Sequence, residues 1–575
     1  MTKKIWMTAC AVVLAGILQA AVELPAGWKS LAWVESTGLQ YVDTGVVHTP
    51  ETRIDCRVLV RAHQPGPWAA LFGSRVHSHF HNCFTFFSHG MKTDGGTDPA
   101  HGIYNRTKVL AHGPEFPYGK KVALTCAGRA ATWTVEGSGA TGRIETPAVL
   151  EGGKNTLFIF NLNTAGENGK LPDTSPACMR LYSFKISEGE KCVRDFMPCR
   201  QANGKVGLWD RVEGKFYGNA AGYGEFVGCT VEDRWPLEKA QAWGKRHPWY
   251  CGVNYLPANA INDTAIWDKT TFSPELIRRE FALARRSGIN CVRVFLQYKV
   301  YEDDPAWFRG AFESFLMLAA DEKLKVMPAL FDDCSFGVAE DPVLGKQTEP
   351  IIGWYSWGWT PSPGHTMVVD EREHAKLEMF VRDLIRRHRD DERIFVWDLY
   401  NEPTNAKAEG FRSIALAQKC FAWAREENPS QPLSIGVWNG NGRLNEILRS
   451  ESDIITFHSY GAAASIGKMI AGLATEQRPI VCTEWMCRHH GCTIKDCLGV
   501  FTKTHTGCIL WGLVNGKTQT HLTWGDRPGH IKNPTIWQHD LFHGDHTPYD
   551  PEEIKLLRQA EAKMNARPQA PTESK

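Results

Sequence analysis

The chain has 575 residues, too many for one ordinary domain, so two or three are expected. Its formal net charge is +1, which gives no electrostatic reason to bind nucleic acid or another polyanion. The hydrophobic fraction of 43% is ordinary for a globular protein, but 21 tryptophans are many. An indole is costly to bury unless its N–H finds a partner. Part of the excess is therefore read as flat apolar platforms suited to the C–H faces of sugar rings, and part as aromatic-rich cores.

Residues 1–21 read as an export signal. Lys3 and Lys4 precede an apolar run at 5–18, and small residues suited to cleavage follow at 20–21. The run is too short for a membrane-spanning helix, and no later segment approaches the roughly 18 consecutive apolar residues that a span needs. A secreted or periplasmic location is expected, with cell-surface association left open and no membrane span. Cys10 lies inside the apolar run rather than after it, which argues against a lipoprotein signal.

From 23 to 228 the texture is strand-like. Short alternating or apolar runs at 53–60, 84–87, 131–135, 157–160 and 180–186 are punctuated by Gly, Asn, Pro and Asp, with no helical period. An all-β sandwich is predicted. The charged stretch 229–248 is read as a linker.

From 249 to 566 strands and helices alternate. Strand candidates fall at 250–256, 290–296, 325–331, 394–400, 433–438, 454–460, 480–486 and 508–514. Ser273, Pro274 and Glu275 form a helix start: a capping hydroxyl, a proline in the first turn and an acid near the positive dipole end. Gly288 is a fitting stop. Leu377, Phe380, Val381, Leu384, Ile385 and His388 share one helical face, which would pack on a sheet. Eight strands alternating with helices predict a (β/α)8 barrel. A doubly wound open sheet would want a glycine-rich turn after its first strand. Leu256, Pro257, Ala258 and Asn259 stand there instead. Residues 567–575 are a polar tail.

Barrel active sites sit at the C-terminal ends of the strands. The fourth strand ends in Asn401-Glu402-Pro403, where the proline cannot continue a central strand. The seventh carries Glu484. Cleaving a glycosidic bond needs a protonated carboxyl to hand a proton to the leaving oxygen and an ionised carboxylate near the anomeric carbon. A glutamate at a strand end is more often a solvated loop residue or an ion-pair partner. Here it has company: His458 and Tyr460 end the sixth strand with the same parity, Arg293 lies in the second and Trp511 in the eighth. Polar and amphipathic groups converging from five strands on one end suggest a site.

Asn-Glu-Pro alone is a modest signal. Together with Val292-Arg293-Val294, Trp397-Asp398-Leu399-Tyr400, His458-Ser459-Tyr460, Thr483-Glu484-Trp485 and Leu510-Trp511-Gly512, it resembles clan A of the glycoside hydrolases, most nearly family five, the cellulases and mannanases, over about 249–566. The resemblance implies a retaining hydrolase of a poly- or oligosaccharide, with Glu402 as acid/base and Glu484 as nucleophile. It further implies that Asn401 bonds the sugar 2-hydroxyl, that Arg293 keeps Glu484 ionised, that Tyr460 bonds the nucleophile, that His458 positions the acid/base, and that Trp511 floors the sugar site. No cofactor and no metal are implied. Family five often carries a histidine at the end of the third strand. This chain has Phe331-Asp332-Asp333-Cys334, so Asp332 and Asp333 become candidates for that sugar contact, or a loop-capping pair. The insertion that follows holds an aromatic cluster around Trp357, read as a subsite wall or as a plug beneath a long loop.

In the first half, Trp33-Val34-Glu35-Ser36-Thr37-Gly38-Leu39-Gln40-Tyr41-Val42-Asp43-Thr44-Gly45, Leu71-Phe72-Gly73-Ser74-Arg75, Arg194-Asp195-Phe196-Met197-Pro198 and Val206-Gly207-Leu208-Trp209-Asp210 resemble concanavalin-like (laminin-G-type) modules. That resemblance leaves glycan contact and a spacer role both open. For the barrel, a non-catalytic glycan-binding protein and a transglycosylase are the alternatives. The presence of both glutamates with their supporting residues favours an enzyme over the first. The 17 cysteines are scattered and read mostly as buried thiols. Cys487, His489, His490 and Cys492 do not match a zinc-site spacing.

Overall fold

The computed structural model describes residues 22–66, 68–76, 81–91, 97–98, 116–145, 150–165, 175–337, 341–405, 412–532 and 535–566. The export signal and the polar tail read from the sequence lie outside these residues.

The first part of the chain builds two antiparallel sheets. The larger includes Thr52–Val60, Lys121–Ala127, Ala130–Val135, Cys178–Glu188 and Lys191–Arg200, and the smaller includes Val42–Val47, Ala69–Val76, His81–Met91 and Thr156–Ile159. Side chains alternate in direction along a strand. Along Thr52–Val60 every second residue is accordingly buried, from Thr52 through Ile54, Cys56 and Val58 to Val60. Val58 and Phe184 from one sheet share a core with Leu71, Phe72 and Phe84 from the other. Phe72 meets Phe184 edge-on at 5.6 Å.

The second part is an eight-stranded parallel sheet with helices between its strands. In chain order the strands are Cys251–Asn254, Cys291–Phe295, Lys325–Ala329, Trp397–Asp398, Leu433–Ser434, Ile455–His458, Ile480–Trp485 and Gly507–Trp511, referred to below as the first to eighth barrel strands. The first pairs with both the second and the eighth. A parallel bridge between Val437 and Phe457 joins the fifth side to the sixth, so the ring closes.

The helix expected after Ser273 runs Pro274–Arg286, with proline in the first turn. The Ser273 side chain makes no capping hydrogen bond, so proline and the Glu275 charge mark this start. Gly288 ends the turn at φ +85°, and a Cβ there would lie 2.7 Å from the Arg558 backbone. Helix His374–Arg387 buries Leu377, Phe380, Val381, Leu384 and Ile385, as its period predicts.

The stretch 229–248 is more structured than a linker. It contains helix Leu237–Arg246. Trp235 and Trp243 are buried there against Tyr250, Cys291, Phe395, Ile454, Val481 and Ile509, residues at the starts of the barrel strands. The segment therefore plugs the base of the barrel. Its charges obscured that role, because two indoles carry the apolar face.

The sheets are fixed to the barrel through a buried ion cluster. Glu35 holds Arg61 at 2.9 Å and Arg180 at 2.5 Å. Both guanidiniums also reach Glu451, at 2.9 and 2.8 Å, at the end of helix Gly442–Glu451. Burial pushes both carboxyls up, but the two arginines outweigh it and hold them below the ordinary range. The cluster carries two charges of each sign, which is what allows it to sit away from water.

Candidate active site

The C-terminal mouth of the barrel holds a cavity of about 650 Å³. Its organising group is Arg293 of the second strand, which is wholly buried. A guanidinium has five N–H donors in a fixed fork. Here Nε donates to Asp398 at 2.8 Å, and one terminal nitrogen donates to Asn254 at 2.7 Å and to Glu484 at 2.8 Å. The other donates to Asn401 at 2.6 Å and lies 2.7 Å from Asp398. Four hydrogen bonds and a second ion-pair contact surround the guanidinium, and the first, second, fourth and seventh strands are tied together around one cation.

Glu484 is almost fully buried and takes two strong contacts, from Arg293 and from the Tyr460 hydroxyl at 2.7 Å. Glu402 is reached instead by neutral partners. Asn405 donates its amide to Oε2 at 2.6 Å, the Cys334 thiol lies 3.4 Å from the same oxygen, and His458 Nδ1 is 2.8 Å from Oε1. Glu402 adopts φ +42° and Thr404 φ +77°, a left-handed region that residues with a Cβ usually avoid. Such backbone is held in place by its surroundings and concentrates at functional sites. One oxygen of each glutamate and a ring nitrogen of His458 lie within 4.8 Å of one another.

Burial raises both carboxyls above the ordinary range. Their partners differ in kind. The proximity of a guanidinium and a phenol favours the ionised form at Glu484. Glu402 has no cation in contact, because burial pushes His458 down to about 4 and leaves its ring neutral. His458 Nε2 is buried without a hydrogen-bond partner. Gly436 makes room for that ring, since a Cβ there would stand 3.0 Å from Nε2.

The structure brings together Glu402, Glu484, Arg293, Asn401, His458, Tyr460, Trp511 and Asp332 of the residues expected from sequence. Asp332 lines the cavity, accepts hydrogen bonds from Asn401 and the Trp359 indole at 2.8 Å each, and is pushed up to about 6 by burial. Two of the candidates do not line the cavity, and each had a structural reading left open beside the functional one. Asp333 faces away from the cavity and accepts from the Tyr400 hydroxyl at 2.6 Å and the Thr404 N–H at 2.7 Å, so it braces the loop that carries Glu402. Trp357 packs on Trp354 with ring centroids 4.3 Å apart, outside the cavity lining, where Tyr355 and Trp359 stand instead. Trp357→Ala is therefore expected to leave kcat within about twofold of the parent. A loss beyond tenfold in steady-state assays, with the fold intact by circular dichroism, would return Trp357 to the site.

Sequence reasoning named Tyr355 and Trp359 only as members of the aromatic cluster 354–359, and Asp398 and Cys334 only inside motifs; it missed Asn254, Asn405, Trp438 and Trp524. Asn254 and Asp398 carried a signal, being polar residues inside parallel barrel strands that are otherwise apolar. Cys334 was quoted only as a neighbour, yet it and Cys192 are the two described cysteines that are not fully buried. The loop aromatics carried no signal that separates a cavity wall from a plug.

No protein-family model matches the chain, and no curated protein matches it. Solved structures similar to it include GH5_18 from Streptomyces cattleya in complex with GlcNAc, at 12% identity over 56% of this chain and 82% of that one, with a TM-score of 0.40. An endo-beta-1,4-mannanase from Thermotoga petrophila is 14% identical over 56% and 77% of the two chains, with a TM-score of 0.38. An exo-beta-1,4-mannosidase from Opitutaceae bacterium strain TAV5 is 15% identical over 56% and 61%, with a TM-score of 0.40.

Proposed function

We propose that the protein is a retaining glycoside hydrolase that cleaves β-glycosidic bonds by double displacement, with Glu484 as nucleophile and Glu402 as acid/base. The observation that carries this reading is that one oxygen of Glu402 and one of Glu484 lie within 4.8 Å of each other at the barrel mouth, with a guanidinium on the second glutamate alone. Retention calls for carboxyl groups about 5–5.5 Å apart, whereas inversion needs about 6.5–9.5 Å to fit a water between them.

The steps follow from the partners. Glu484, held ionised by Arg293 and Tyr460, attacks the anomeric carbon. Glu402 gives its proton to the glycosidic oxygen as that C–O bond breaks, and the sugar is left bonded to Glu484. Water then enters. Glu402 takes a proton from it, the new C–O bond forms, and the bond to Glu484 breaks. Asn401, oriented by Arg293 and Asp332, faces the sugar 2-hydroxyl, and Trp511 supplies the ring platform. A glycan-binding protein without catalysis would have no use for two raised carboxyls at this distance. A transglycosylase would differ only in admitting a sugar hydroxyl where water enters. The two-sheet unit is read as a concanavalin-like module and the protein as exported.

The test is a panel of aryl β-glycosides and β-linked polysaccharides followed by proton NMR. The first-formed sugar is expected as the β anomer. An α anomer appearing first would mean inversion, and no release from any substrate would end the hydrolase reading.

A further inference from the structure

Among the described residues the cavity lining is buried on one side and partly exposed on the other, and the asymmetry bears on where along a chain the enzyme cuts. The wall is made by the insertions after the third and eighth strands, sewn to each other. Ser356 donates its N–H to the Thr518 carbonyl at 2.8 Å. The Gln519 side chain accepts from the Gly353 N–H at 3.0 Å and donates to the carbonyls of Ile351 and Trp354 at 2.9 and 3.3 Å. The Arg527 guanidinium stacks on Trp354 at 4.5 Å. The loop after the first strand is drawn into the same seam. Lys517 donates its N–H to Ala258, and Gly516 packs so closely that a Cβ there would lie 2.3 Å from the Ala258 oxygen.

Tyr355 and Trp359 are buried on the cavity side of this seam. Tyr355 packs against Phe336 at 5.2 Å and His539 at 6.0 Å, and Trp524 packs against Tyr460 at 5.0 Å. Among the described residues the wall thus runs from the third-strand loop to the eighth-strand loop, whose Trp524 meets Tyr460. The opposite sector, after the fourth to sixth strands, is lined by Asn405, Trp438, Asn439, Ser459 and Met469, none of them fully buried.

The two glutamates give the cleft a direction. An acid must lie within reach of the glycosidic oxygen, so the leaving sugar departs on the side of Glu402. Glu402 ends the fourth strand, at the edge of the open sector. The sugar that becomes bonded to Glu484 lies between that carboxylate and the wall, with its non-reducing end toward Tyr355 and Trp359. We infer that the enzyme acts from chain ends: the site takes one non-reducing-terminal sugar and leaves the remainder of the chain in the open sector. This rests on the hydrolase reading above and on the same assignment of the two glutamates.

The experiment uses the full chain and a β-linked oligosaccharide of the sugar found to be cleaved in the aryl-glycoside panel, labelled at its reducing end, together with a soluble polysaccharide of the same linkage. Expected are free monosaccharide as the sole early product, labelled fragments shortened one sugar at a time, and unchanged viscosity of the polymer. An oligosaccharide capped at its non-reducing end should be inert. Labelled fragments from internal cuts, a rapid fall in viscosity, or normal cleavage of the capped chain would overturn the inference while leaving the hydrolase standing. Failure to cleave any aryl glycoside or polysaccharide of the panel would instead remove the hydrolase reading itself.

Discussion

Glu484→Gln is expected to lower kcat by roughly 10³-fold or more, about 4 kcal/mol of lost transition-state stabilisation. The amide keeps the size of the side chain, and its one oxygen can still accept from Arg293 while its NH2 donates to the Tyr460 oxygen, but it is a poor nucleophile toward the anomeric carbon. The fold should survive, because Arg293 retains Asp398 as counter-charge at 2.7 Å. A thermal midpoint near that of the parent, measured beside kcat, separates this outcome from unfolding. Turnover within tenfold of the parent would remove Glu484 from the chemistry. Glu402→Gln carries a complementary signature. Activity should rise with pH as Glu484 ionises and fall as Glu402 loses its proton, and burial raises both limbs above the ordinary carboxylate range. The alkaline limb should vanish in the Glu402 variant. Its kcat/KM, which reports the first step, should recover on substrates whose leaving group needs no proton, such as dinitrophenyl glycosides, while kcat stays low because the second step still lacks its base.

Arg293→Ala is expected to cost about 3–5 kcal/mol of stability in urea denaturation, with loss of most activity. The family resemblance alone assigns Arg293 a catalytic role, so that its loss would harm turnover more than folding. The structure changes that expectation. Arg293 is 0% exposed and neutralises both Asp398 and Glu484. Removing it leaves two carboxylates facing each other's charge away from water, with Asn254 and Asn401 short of a donor. The double variant Arg293→Ala with Asp398→Asn should recover part of the stability and none of the activity. If the single variant is as stable as the parent, the cation is not the keystone of the mouth.

The barrel and its mouth were legible in the sequence because strand ends in a parallel ring are marked twice, by an apolar run and by the polar residue that breaks it. Arg293, Glu402, His458 and Glu484 each carry that mark. The loops are not written in a period. Among 354–359, strict alternation would place Trp357 and Tyr355 on one face. The chain instead turns left-handed at Ser356, φ +45°, and Gly358, φ +91°, so Tyr355 and Trp359 reach the cavity while Trp357 does not. Asp332 and Asp333 are neighbours in an extended segment, so only one can face the sugar. Parity could have said that they differ, but not which one looks inward. The stretch 229–248 was hidden by its charges, since a segment that seals a barrel with two indoles needs few other apolar residues.

The buried cluster of Glu35, Arg61, Arg180 and Glu451 bears on how portable the catalytic half is. A barrel cut away from its sheets would keep Glu451 and lose both arginines that neutralise it. It would also lose Arg200, which is paired with Glu426 at 3.0 Å. Glu426 would keep Arg382 at 2.6 Å, so exchanging the first half for another module would chiefly require new cations facing Glu451 on helix Gly442–Glu451.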